Sequence, residues 1–134
     1  MVQAMRLLVD THVWLWWLTE PTRLNLEAGA LLADPGNRIF LSAASVWEIV
    51  IKHALGKLTL PADPDQLVPR AMAEDGLIGL AIGHAHVLRV GRLPHHHRDP
   101  FDRVLVAQAQ VEGMPILTAD PVFGAYDVPL LRAG

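Results

Sequence analysis

The stretch HHHRDPFDRVLVAQAQVEGMPILTAD, from His95 to Asp120, sets carboxylates at both ends of an apolar segment. Oxygen ligands of this kind suit a hard divalent cation. Four acidic residues are placed for that work. Asp10 ends the apolar run MRLLVD, and Asp120 ends PILTAD. Glu48 lies in the early turns of the segment that follows RIFLS, and Asp102 lies in DPFDR. Each also has an ordinary structural reading. Asp10 and Asp120 are placed to cap helices, and Asp102 stands three residues after Asp99, where a capping box puts its acid. Glu48 precedes Lys52 by four, the spacing of a helical surface ion pair. Asp99 is read as a cap alone.

Asp102 fits the structural reading least well. At 100° per residue, Leu105, Val106 and Ala109 lie along its line, so the carboxylate heads a face that should be buried. Burying an unpaired charge costs several kcal/mol. A bound cation would remove that cost and the mutual repulsion of four carboxylates. Cysteine is absent, so thiolate ligands are excluded and Mg²⁺ or Mn²⁺ is favoured. Carboxylate clusters of this type hold ions for phosphodiester chemistry.

His95, His96 and His97 are consecutive and cannot all face one point, so they are read as loop residues, one of them available for phosphate, and not as a zinc site. Arg92, Arg98 and Arg103 lie close to them and form a local basic strip on a chain of formal charge −3. That net charge is a poor global footprint for nucleic-acid binding, so the strip must carry any such contact. Trp14, Trp16, Trp17 and Trp47 are read as core, with Trp16 off the shared face and available for a partner patch.

These residues need elements to position them. MRLLVD, RIFLS, LIGLAI, PILTAD and VPLLR read as short apolar strands. Between them lie helical segments: THVWLWWLTEP; TRLNLEAGALLADPG, with Thr22 as cap; AASVWEIVIKHALGKL, stopped by Gly56; PADPDQLVPRAMAEDG; GHAHVLRVGRLP; and RDPFDRVLVAQAQVEG. The last carries Asp99 at the cap, Pro100 at the first helical position and Gly113 past the end. Strands alternating with helices predict an α/β domain with a mainly parallel sheet of four to five strands, covered on both faces. Parallel strands collect their carboxyl ends on one edge, where ligands bind at the point of strand-order reversal.

The 134 residues suit a single domain, 1–134, and the 51% hydrophobic content a globular one. No apolar run reaches the roughly 18–20 residues that span a bilayer, and an early aspartate breaks any signal-peptide layout. The chain is read as cytoplasmic, with no membrane partner.

LLVDTHVWLWWL, LSAASVWEIVIKHALGKL and LPHHHRDPFDRVLVAQAQVEGMPILTAD together resemble PIN-domain proteins, specifically the VapC-type toxins of bacterial type II toxin–antitoxin pairs. The likeness runs from residue 6 to about 132. It implies a three-layer α/β/α sandwich and a metal-dependent endoribonuclease that cleaves RNA by metal-activated water attack. It also implies Mg²⁺, with Mn²⁺ as the alternative, a VapB-like antitoxin and a homodimer. The family's acidic positions fall on Asp10, Glu48, Asp102 and Asp120, and its supporting hydroxyls on Thr11 and Thr118. Arg98, Arg103 and Arg92 are the candidates for gripping the RNA backbone. The rival is a PIN-fold RNA-binding or partner-binding module without cleavage. A haloacid-dehalogenase-like phosphatase would need an aspartate where His12 stands, and a response-regulator receiver would need an acid beside Asp10.

Overall fold

The computed structural model describes residues 4–134; the first three residues of the expected domain lie outside the described residues. Five strands form one sheet: β1 (Arg6–Val9), β2 (Arg38–Ser42), β3 (Ile78–Leu80), β4 (Ile116–Thr118) and β5 (Leu130–Arg132). The order is β3-β2-β1-β4-β5, and every pairing is parallel. Strand order therefore reverses between β1 and β4. Leu8 pairs with Phe40 on one side and Ile116 on the other.

Six helices cover the sheet: α1 (Thr11–Thr19), α2 (Leu26–Ala33), α3 (Ala43–Ala54), α4 (Pro64–Asp75), α5 (His84–Val90) and α6 (Pro100–Glu112). Right-handed crossovers decide their faces. The chain steps one way through β1, β2 and β3, then returns across the sheet to β4, so α5 and α6 lie on the face opposite α1 to α4. Period-2 alternation in β1 feeds both layers. Leu7 and Val9 join Trp14, Leu32, Ile49 and Val68 on one side. Leu8 joins Leu105, Val106, Ala109 and Phe123 on the other.

The expected helix stops hold: Gly56 and Gly113 follow α3 and α6 with φ of 71° and 67°, a left-handed conformation that glycine adopts without Cβ strain. Two expectations change. The segment after Pro21 splits into a short 3₁₀ turn, Pro21–Arg23, and α2, and Asn25 rather than Thr22 caps α2 by accepting from Ala28 N–H at 2.8 Å. Trp47 is 58% exposed instead of core, because α3 turns its Glu48 edge inward, and its ring meets Phe101 edge-on at 5.1 Å.

A buried polar tie joins the layers across the sheet edge. Ser42 Oγ donates to Gln108 Oε1, and Gln108 Nε2 donates to Ala81 O at 3.3 Å. The start of α3 is thereby fixed against α6. Leu105 lies fully buried on α6 one turn below Asp102. Leu105→Ala should lower unfolding free energy by about 2–5 kcal/mol, the usual loss for a buried Leu, in urea titration of the metal-free protein. A loss under about 0.5 kcal/mol, typical of surface changes, would contradict this packing.

Candidate active site

The carboxyl ends of β1 and β4 flank the reversal point and bring Asp10 beside Thr118. Asp10 N–H donates to Leu117 O at 3.0 Å, and Thr118 Oγ1 donates to Asp10 Oδ2 at 2.8 Å. Asp10 precedes α1 yet makes no side-chain cap bond. Its Oδ1 is buried without a partner. Thr11 turns the other way: its Oγ1 donates to Ser45 Oγ at 2.7 Å and locks α1 to the first turn of α3.

That lock helps aim Glu48. The residue is 1% exposed, so the Lys52 pair is no surface ornament. Lys52 Nζ donates to Glu48 Oε2, while Oε1 is buried without a partner. The Glu48 hydrogen bond raises the Lys52 pKa against the opposing effect of its burial. Glu48 and Lys52 line a cleft with Thr11, His12 and Lys57.

Asp99 caps α6 as its sequence position predicts, accepting from Phe101 N–H at 2.8 Å and Asp102 N–H at 3.3 Å. Asp102 does not complete a capping box. Its Oδ2 meets His97 Nε2 at 2.7 Å instead. Asp120 caps the 3₁₀ turn Pro121–Ala125 through Val122 N–H at 3.0 Å, and its Oδ2 lies 3.9 Å from the same His97 nitrogen. His97, Asp102 and Asp120 each offer one ligand atom within 4.8 Å of the others. Asp10 and Glu48 stand outside that set but near enough for their charges to act on Asp102.

Those charges matter. Burial first, then Asp10, Asp99, Glu48 and Asp120, push the Asp102 carboxyl up to about 8. Burial also raises Asp10, against the lowering effect of the Thr118 hydrogen bond. Buried carboxylate oxygens without donors, crowded until one holds its proton, are what a divalent ion would relieve. The donor set is oxygen-rich, with the His97 imidazole against Asp102 and His12 beside Asp10, which fits Mg²⁺ or Mn²⁺.

Arg98 and Arg92 are exposed on the loop before α6. Arg103 is a correction to the expected basic grip. It is 8% exposed, and its guanidinium donates to Pro94 O at 2.8 Å, Val90 O at 3.2 Å and Leu93 O at 3.4 Å. Donors committed to backbone carbonyls are not available to phosphate. The sequence reading also missed His97. Its position two before the α6 cap was the available signal, but three like neighbours gave no reason to choose it.

Residues 7–129 match the PIN domain family. The chain belongs to the PIN domain family. Within it, the likeness to VapC-type proteins drawn from the sequence stands. A 60-residue segment is 45% identical to Ribonuclease VapC16 of Mycobacterium tuberculosis, covering 45% of this chain and 43% of that protein. The match therefore spans less than half of that relative's length. Two solved structures share the fold. VapBC2 from Rickettsia felis, bound to a promoter DNA fragment, superposes with a TM-score of 0.73 at 14% identity, over 97% of this chain and 100% of that one. DNA-bound VapBC from Salmonella typhimurium gives 0.65 at 12% identity, over 96% and 98%.

The raised acids of this PIN domain set a direction for stability. A carboxyl that binds its proton more tightly when folded stabilises the fold at low pH, and that contribution is lost as pH rises. Metal-free protein should therefore melt at progressively lower temperature from about pH 4 to about pH 8, the window between the ordinary and raised Asp102 values. Asp102→Asn should flatten most of that slope in thermal melts across the series. An unchanged slope in the variant would assign the dependence elsewhere.

Proposed function

We propose that this PIN domain is a Mg²⁺- or Mn²⁺-dependent endoribonuclease and the toxin of a VapBC-like type II pair. The observation that carries the reading is the pair of buried, partnerless oxygens, Asp10 Oδ1 and Glu48 Oε1, on residues whose charges act on the buried Asp102. The name of the Mycobacterium tuberculosis relative, a ribonuclease, supports RNA as substrate. The solved VapBC assemblies support a VapB-like antitoxin as partner.

Asp10, Asp102 and Asp120 would hold the ion, with Glu48 acting on it through water. When bound, the ion supplies Lewis acidity to the scissile phosphate and makes a water easier to deprotonate. The chain's own residues do the positioning. Thr118 fixes Asp10, and Lys52 fixes one oxygen of Glu48, leaving the other to orient the attacking water. Thr11 acts at one remove, by tying α1 to the helix that carries Glu48. Attack forms a new phosphorus–oxygen bond and breaks the bond to the 3′ oxygen. The products are a 5′-phosphate and a 3′-hydroxyl, with no need for the 2′-hydroxyl as nucleophile.

Arg98 and Arg92 hold the RNA backbone, and Arg103 has no direct part in that grip. The unit is a single domain over 1–134 that works as a homodimer in the cytoplasm. Exposed Val87 and Leu88 on α5 offer apolar area for a subunit contact. Among the described residues no helix is long and apolar enough to cross a membrane.

With a single-stranded RNA and Mg²⁺, Asp10→Asn and Asp102→Asn should abolish cleavage while circular dichroism stays unchanged. An Asp102→Asn protein that cleaves at the parental rate would remove the assignment, and a parent that binds RNA without cutting it under either metal would favour a silent binding module. Replacing Arg92 and Arg98 together should weaken RNA binding and lower the salt slope by about one to two, since each lost phosphate contact takes roughly 0.7 from the single-strand value. An unaltered slope would place the grip on other residues.

A further inference from the structure

The loop before α6 sends one side chain into the acidic cleft, and the reaction scheme above gives it no task. His97 Nε2 lies 2.7 Å from Asp102 Oδ2 and 3.9 Å from Asp120 Oδ2. The other ring nitrogen, Nδ1, receives Asp99 N–H at 3.4 Å, a long contact but a directional one. A nitrogen that accepts carries no proton, which leaves the ring hydrogen on Nε2. Nε2 is thus a donor to Asp102, and it occupies one carboxylate oxygen while leaving the other for an ion. Direct ligation through Nε2 would require the proton on Nδ1, where it would face the Asp99 N–H.

The loop that carries the ring is fastened through its backbone. Tyr126 Oη accepts His97 N–H at 2.9 Å, and Arg103 Nη1 donates to the same hydroxyl at 3.3 Å. The remaining Arg103 bonds gather the carbonyls of Val90, Leu93 and Pro94, so one buried guanidinium fastens the loop that carries the histidine. Phe123 meets the imidazole edge-on at 6.3 Å. Arg103 and Asp102 are neighbours on α6, so the same helical turn presents the acid and anchors the loop that restrains it.

We propose that His97 is a positioning residue of the metal centre, whose Nε2–H orients Asp102 toward the ion, itself set in place by the Arg103–Tyr126 clamp. The inference rests on the metal-dependent reading of the site. Carboxylate ligands need outer hydrogen bonds to hold their orientation, and losing one commonly costs about 10–100-fold in metal affinity. His97→Gln keeps an N–H donor on a side chain of similar reach, whereas His97→Phe keeps a ring against Phe123 and loses the donor.

The test is Mn²⁺ titration of the full chain, following the free-ion signal by electron paramagnetic resonance. His97→Phe and His97→Ala should weaken Mn²⁺ binding by about 10–100-fold, with His97→Gln recovering most of it. Tyr126→Phe, which removes the clamp's hydroxyl but keeps the imidazole donor, should weaken binding less. Parental affinity in His97→Phe would overturn the proposal. So would a strong hyperfine coupling from a directly bound imidazole nitrogen in the parent, since that makes His97 a ligand. A parent that binds no Mn²⁺ at all would instead overturn the metal reading, and this inference with it.

Discussion

Negative oxygen in a place without water is the constraint around which the rest of this protein is arranged. Asp10, Glu48 and Asp102 are all nearly inaccessible, and two of their oxygens meet no donor. A protein core tolerates such groups only when protons, cations or hydrogen bonds compensate them. Each compensation visible here is partial. Thr118 serves one oxygen of Asp10, Lys52 one oxygen of Glu48, and His97 one oxygen of Asp102. The uncompensated remainder is concentrated at one edge of the sheet, where Asp10 Oδ1 and Glu48 Oε1 are buried without a partner.

The scaffold supplies rigidity at that edge. Asp10 N–H is fixed by Leu117 O beyond the β1–β4 pairing, Asp120 N–H by the Thr118 hydroxyl, and the Thr11–Ser45 and Ser42–Gln108 bonds fix the helices that bring the other two acids. The last two ties are buried and short, and they keep Asp10 and Glu48 close enough for their charges to act on Asp102.

The helical stops at Gly56 and Gly113, the cap at Asp99 and the apolar strands were legible because they obey local rules. So was the buried helical face headed by Asp102, through the apolar line of Leu105, Val106 and Ala109. The Asn25 cap was not, since Thr22 and Asn25 offer similar cap chemistry and the choice depended on where Pro21–Arg23 could turn. Arg103 read as a surface cation because its carbonyl partners come from the loop at 90–94, a fold of backbone that no side-chain pattern announces. His97 was hidden by its neighbours, which share its chemistry but point elsewhere.

What the sequence by itself determined is the order of elements and the two-sided core, because periodicity, caps and breakers act within a few residues. What only the tertiary structure decided is which polar groups answer one another: that Asp102 meets His97 and not the α6 cap, that Lys52 leaves one Glu48 oxygen bare, and that Arg103 is a clamp. Those outcomes depend on distances between segments brought together by the sheet, and a hydrogen bond is won or lost within about half an ångström, well below what spacing along a chain can specify.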